Sequence, residues 1–355
     1  MKKPVYINSI GSVSIQKTFD NSEFLEDIIP HSESCLKVVD PNYKAYLPPA
    51  AARRMAKGIK MSMVSSKTAM KEAQLSNVDA IIVGTGLGCL GDSEKFLSDI
   101  IDNNEQYLTP TRFIQSSHNT VAGQIALDMG CKGYNYTYVH ATVSFESGLW
   151  DAKMQLELGE AENILVGGVD ELVDHHIDTH KLIGHIKEEP QAPEELLTSV
   201  TKGNKVAEGS HFFVLSNQKR SFTYARFLGI DTFNALTPEQ VPLKIEDFLK
   251  RQEMELSDMD LVVLGYNGDV EYDGYYHNLS AGILADIPQI YYKHVSGEFD
   301  TATGFAFWMA NQMLRTQHIP DVLKVNGKTP EKVETILLYN QYRGKNHSIV
   351  LLQKC

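Results

Sequence analysis

The chain is short of cysteine: Cys35, Cys89, Cys131 and Cys355 are the four in 355 residues, and no two form a C-x-x-C pair. So sparse a set excludes a disulfide scaffold and a cysteine zinc site, and it fits a reducing, cytoplasmic setting. Positive charge is also in deficit, since 33 lysines and arginines against 45 acids leave a net charge of −12. An acidic chain is a poor partner for polyanions, which argues against nucleic acid and acidic membrane surfaces. Long apolar runs are missing, and none approaches the roughly 20 residues of a membrane span. The opening MKKPVYINSIGSVSIQ has two lysines with no continuous apolar stretch behind them, so no signal peptide is expected. Low-complexity sequence is absent, and KEEPQAPEE at 187–195 reads as an exposed acidic loop. Neither G-x-S-x-G nor G-x-x-x-x-G-K-[ST] occurs, which removes the hydrolase nucleophile elbow and the P-loop.

What is present is an ordinary globular composition, 43% hydrophobic, long enough for two domains or one large duplicated one. Short β-branched apolar runs at 5–10, 80–83, 136–139, 163–166, 211–215, 261–264, 335–338 and 348–352 read as buried strands. Helical spacing fills 51–73, where Met55, Ile59, Met63 and Ala69 share a side, and also 148–158 and 304–314. Strands alternating with helices predict an α/β protein with mostly parallel sheets covered on both faces.

An internal echo adds to this. LSNVDAIIVGTG at 75–86 and LSDMDLVVLGYN at 256–267 keep Leu75/Leu256, Ser76/Ser257, Asp79/Asp260 and Gly84/Gly265 in step. A second echo pairs 142–150 with 296–308 in the same order. Duplication predicts two related halves, residues 1–220 and 221–355, joined near 217–225.

Two local motifs invite other readings. Gly86, Gly88 and Gly91 match G-x-G-x-x-G, but no second strand ending in an acid follows to hold a ribose, so a tight structural turn is expected. His176 and His180 stand at i, i+4 and could face a zinc ion from one helix, yet nothing announces a third ligand. Neither a cofactor nor a metal is expected.

The order of further motifs resembles the β-ketoacyl-acyl-carrier-protein synthases. VYINSIGSVS at 5–14 is similar to that family's opening strand and turn, and GTGLG at 84–88 to its glycine loop. LTPTRFIQSSHNTVAGQIALDMGCKG at 108–133 resembles the segment ahead of the nucleophile, and GEAENILVGGVDE at 159–171 the strand and double glycine after the nucleophile helix. The resemblance implies a thiolase-like duplicated fold, two βαβ-rich halves with mixed five-stranded sheets layered with helices. It also implies Claisen chemistry, in which a cysteine takes the acyl chain from a carrier-protein thioester. Two histidines then assist decarboxylation of the malonyl unit and stabilise the enolate.

Carried over position by position, that machinery is replaced. The family's TAC is His140-Ala141-Thr142 here, and a threonine hydroxyl needs an adjacent base to attack a thioester. The first histidine position falls on Asn267 in LGYNGD. The second, five residues after Lys293, falls on Glu298, which would repel a malonyl carboxylate and would suit a helix cap. The glycine-rich gating loop corresponds to NQYRGKN at 340–346, with Tyr342 at the gating position. Thr142, Lys293 and Tyr342 are thus the expected tunnel residues. A shifted register would instead put the nucleophile at Ser144 or Ser147, with His140 or His294 as base.

The resemblance then implies a non-condensing, chain-length-factor-like subunit, although such subunits usually carry glutamine where Thr142 stands. Its partner would be an active ketosynthase in type II fatty-acid, polyketide or polyene assembly. A homodimer is the other arrangement. The acyl carrier protein would engage through the partner, because a chain of net charge −12 is a poor docking surface for another acidic protein. The alternatives are an acyltransferase or thioester hydrolase using Thr142 or a nearby serine, and a stand-alone acyl-binding protein.

Overall fold

A strand whose successive side chains are all apolar has to be covered on both faces, and that requirement builds this protein in layers. A computed structural model describes residues 2–355. Its ten strands are β1 (Tyr6–Val13), β2 (Ala80–Gly84), β3 (Tyr134–Tyr138), β4 (Asn163–Asp170), β5 (Gly209–Ser216), β6 (Ala225–Asn234), β7 (Leu261–Leu264), β8 (Gln289–Tyr291), β9 (Thr335–Tyr342) and β10 (Asn346–Lys354). They are hydrogen-bonded in the order β3-β2-β4-β5-β1-β6-β10-β9-β7-β8. Read outward from the centre, β6-β10-β9-β7-β8 repeats β1-β5-β4-β2-β3. The pairing repeats too: β2 is parallel to β3 and β4 as β7 is to β8 and β9, and the remaining pairs within each half are antiparallel. The two five-stranded sheets meet at Tyr6 opposite Arg226 and Ile7 opposite Ala225.

Alternation along each strand sorts side chains between layers. From β2, Ile82 faces an inner core, while Ile81 and Val83 face an outer core under the helix Lys57–Glu72. From β9, Ile336 and Leu338 face the same inner core. Leu337 and Tyr339 face a second outer core under the helices Gln240–Arg251 and Gly274–Ala281. The inner core holds the helices Ser144–Leu158 and Thr303–Thr316, so the order is helix, sheet, helix, sheet, helix. Every residue from Thr303 to Leu314 is buried, as a helix sandwiched between two sheets must be.

The sequence echo has a physical cause. Asp79 Oδ2, just before β2, accepts the N–H groups of Glu162 and Asn163 at 2.8 and 3.0 Å and so pins the start of β4. Asp260 Oδ2, just before β7, accepts those of Glu334 and Thr335 at 2.8 and 2.9 Å and pins the start of β9.

Two strands lie outside the expected set. Gly229 and Asp231 interrupt the apolar run of β6, and β8 is three residues long. The helix expected over 51–73 is divided, with one turn at Pro49–Ala52 and the main helix starting at Lys57. Between them Ala56 is extended at ψ 157°, its N–H bound by Gln115 Oε1 at 2.6 Å. Asp79→Ala and Asp260→Ala should each lower the urea-unfolding free energy by about 1 kcal/mol, and the double variant by their sum.

Candidate functional site

Behind β3 the chain turns sharply into its central helix. Ala141 has φ +45°, the left-handed region that non-glycine residues rarely enter. Ser144 holds the turn: its Oγ accepts the His140 N–H at 2.8 Å and donates to the Ala141 carbonyl at 2.6 Å. Ser147 Oγ donates to the Val143 carbonyl at 2.8 Å. Both serines are therefore engaged within their own turn. Thr142 is buried in the short 3₁₀ turn ahead of the helix, and its Oγ1 accepts the Asn346 side-chain amide at 2.9 Å. Neither candidate base reaches these hydroxyls: His140 is exposed, and His294 Nε2 lies 2.8 Å from the Val322 carbonyl.

One turn further on, Glu146 is fully buried and its Oε1 accepts Ser348 Oγ at 2.9 Å. Four helical residues rise about 6 Å and two strand residues about 6.8 Å, so Thr142 and Glu146 are in step with Asn346 and Ser348 of β10. Burial pushes the Glu146 carboxyl up to about 7, against the pull of Thr303, Ser348 and the Lys293 charge.

The two residues expected at histidine positions, Asn267 and Glu298, come together. Glu298 Oε2 accepts the Lys293 ammonium at 2.6 Å and the Asn267 amide at 2.7 Å, with all three side chains buried. Glu298 does not cap a helix, because the next one begins at Thr303; the buried lysine claims its charge instead. Its backbone is held from outside, by the Lys205 carbonyl at 2.8 Å and the Ala207 N–H at 2.9 Å.

Tyr342 ends β9 and lines a cleft with Glu298, and burial with the Glu298 and Asp300 charges holds its phenol above the usual range. The segment aligned with a glycine-rich gate is a tight hairpin. Arg343 and Gly344 take φ +49° and +64°, Lys345 N–H bonds the Tyr342 carbonyl at 3.0 Å, and Asn346 pairs across from Tyr342. One side of this hairpin faces the Glu298 cleft and the other fastens Thr142.

The glycines at 84–88 make room for protein rather than pyrophosphate. A Cβ on Gly84 would lie 2.5 Å from the Ser144 and Phe145 backbone, and one on Gly86 would lie 1.7 Å from Asp300 Oδ2. Asp170 fastens this loop to the opposite half, accepting Gly86 N–H (2.7 Å), Thr85 Oγ1 (3.1 Å), Thr301 N–H (2.8 Å) and Thr301 Oγ1 (2.8 Å). His176 and His180 lie with ring centres 4.1 Å apart and planes tilted by 34°. Among the described residues no group of three or more His, Cys, Asp or Glu is arranged to hold a metal ion.

The family described as "Beta-ketoacyl synthase, N-terminal domain" matches residues 19–212. The chain belongs to the β-ketoacyl synthase family. The 3-oxoacyl-[acyl-carrier-protein] synthase 2 of Staphylococcus aureus (strain N315) is 24% identical over 140 residues, 38% of this chain and 34% of that protein. The chloroplastic 3-oxoacyl-[acyl-carrier-protein] synthase I of Arabidopsis thaliana is 23% identical over 195 residues, 48% of this chain and 41% of that protein. The matched stretches thus span less than half the length of these curated relatives. Among solved structures, a β-ketoacyl synthase from Burkholderia phymatum STM815 covers 100% of both chains with TM-score 0.80 at 15% identity. A ketosynthase in complex with its chain length factor from Xenorhabdus doucetiae covers 99% of this chain and 98% of that one, with TM-score 0.74 at 13% identity. The layered fold is thus the thiolase fold of this synthase family.

Motif matching against the synthase family finds Thr142, Asn267, Lys293, Glu298 and Tyr342 but not what they touch. Asn346 and Asp170 lie within quoted motifs without being singled out, Ser348 carries no motif, and Glu146 had only its i+4 position from Thr142 as a signal. Glu298→Ala leaves a buried ammonium alone and should cost about 3–5 kcal/mol in urea unfolding, whereas Lys293→Met/Glu298→Met together should cost far less. Equal losses in both would show that charge pairing is not what Glu298 supplies.

Proposed function

We propose that this chain is a non-condensing ketosynthase-like subunit that pairs with an active ketosynthase in type II fatty-acid, polyketide or polyene assembly. The observation that carries the reading is what Thr142, Asn267 and Glu298, the residues expected at the catalytic positions, are bonded to. Glu298 answers Lys293, Asn267 is turned onto Glu298, and Thr142 is held by Asn346 with no base beside it. Glu298 is spent on Lys293 and Asn267, and among the described residues no imidazole hydrogen-bonds the Thr142 hydroxyl to activate it. The likeness to the ketosynthase and chain length factor pair from Xenorhabdus doucetiae supports the same reading.

A pairing surface fits it. β3 ends the sheet with one edge unpaired, and Tyr134, Tyr136 and Tyr138 follow one another along it with neighbouring ring centres 6.0 and 4.9 Å apart. Trp150, Met154 and Leu158 are exposed on the helix beside it. An uncovered, unblocked edge strand with an apolar flank is a template for another chain. In this reading the partner's sheet continues from β3.

Carrier docking need not fall to the partner alone, because the acidic net charge hides a basic cleft. Arg53, Arg54, Lys57, Lys60 and Lys95 line it, with Asp92 and Glu171 at its edge. Lys57 is paired with Glu208, while Arg53, Arg54, Lys60 and Lys95 have no carboxylate within ion-pair distance among the described residues. Such a patch suits an acidic carrier protein.

The pure chain given acyl- and malonyl-carrier protein should yield no condensation product, free acid or acyl-enzyme, and turnover abolished by Thr142→Ala would overturn the reading. An intact ketosynthase should co-purify with it, and Tyr136→Lys should break that association. Arg53→Glu/Arg54→Glu should weaken carrier-protein binding about tenfold at low salt, with the difference shrinking as salt rises.

A further inference from the structure

The cleft beside Glu298 has a wall built by the helix Asp174–Leu182 and the turn that follows it. His176 and His180 are four residues apart, so they leave the helix on the same side. The turn then brings in a third imidazole. Gly184, at φ +70°, lets the chain reverse. Its N–H bonds the Lys181 carbonyl at 3.0 Å, and the His185 N–H bonds the His180 carbonyl at 2.9 Å. His185 is thereby folded back against His180, with ring centres 5.1 Å apart and the two Nδ1 atoms 3.3 Å apart.

That last distance has a second meaning. Two nitrogens bound tetrahedrally to one zinc ion, each at about 2.0–2.1 Å, stand about 3.3–3.4 Å from each other. His180 and His185 already have that separation, and the backbone bonds of the turn hold it. Their contact is an N–H···N hydrogen bond, with a proton on one of the two Nδ1 atoms. Moving that proton to Nε2 leaves two lone pairs facing the same small space. Burial lowers the pKa of all three imidazoles, so each is neutral with a lone pair to offer at physiological pH. The three rings are not yet a complete ligand set. His176 is half-buried, with its ring centre 4.1 Å from that of His180, so a turn of its side chain can supply a third nitrogen. The cleft, of about 320 Å³, leaves room for water in the fourth position. Arg343 is the cation whose charge reaches His180 and His185, and it is answered by Asp269 at 3.3 Å and Glu271 at 3.9 Å.

We propose that His180 and His185, joined by His176, bind a divalent transition-metal ion of the kind that favours imidazole, such as zinc, which clips the turn at 183–185 to its helix. A hard ion such as magnesium prefers oxygen ligands and is not accepted. The site uses none of Thr142, Asn267 and Glu298, and it does not depend on the pairing proposed above.

Isothermal titration calorimetry of the untagged full chain with zinc chloride near neutral pH tests it, with magnesium chloride as comparator. One saturable zinc site and no magnesium binding are expected. His180→Ala should weaken zinc about tenfold or more, and His185→Ala and His176→Ala severalfold, while His175→Ala, at an exposed position on the same helix, should leave it unchanged. In the unsubstituted chain zinc should raise the melting temperature and shift the ring-proton resonances of His180 and His185. Absence of zinc binding, resonances that do not move, zinc binding that persists in a folded His180→Ala/His185→Ala variant, or magnesium binding in its place would each overturn the proposal.

Discussion

An ammonium group shut away from water needs a counter-charge at contact distance, and in this protein that group is Lys293, 1% exposed at the end of β8. Glu298 supplies the charge from five residues on, and Asn267 is drawn to the same oxygen. Glu298 Oε2 thereby serves two donors, and one of the two N–H groups of the Asn267 amide is spent on it. The fold continues because the lysine is neutralised.

Much of the architecture could be read from residue order. Apolar runs located eight of the ten strands, and the spacing of Asp79 and Asp260 marked the duplication because each makes the same two backbone bonds. β6 escaped because Gly229 and Asp231 break its hydrophobic run, which β1 and β10 on either side nevertheless force into the sheet. β8 escaped because three residues carry no period. At the site, motif spacing singled out Thr142, Asn267, Lys293, Glu298 and Tyr342 but none of their partners. Asn346 lies 204 residues from Thr142, and Ser348 lies 202 from Glu146. Contacts of that range depend on how two halves dock, which no local pattern records.

Net charge proved the least informative number. A chain at −12 carries four arginines and lysines clustered without carboxylate partners near the helix Lys57–Glu72, and elsewhere a cleft bordered by four acids and three histidines. Each surface selects by its own local inventory, and the average describes neither. The same holds for acids counted one by one: Asp170 with four donors and Asp300 with none are neighbours of opposite character.

The hairpin at 342–346 has one more implication. Its turn is closed by a backbone bond across Tyr342 and Lys345, and its far strand is tied to Thr142 through Asn346. A wall fastened at both ends differs from a glycine-rich loop, whose backbone would be free of such ties. The shape of the cleft on this side is therefore set by the same contacts that hold Thr142, so a change at Asn346 would be felt on both.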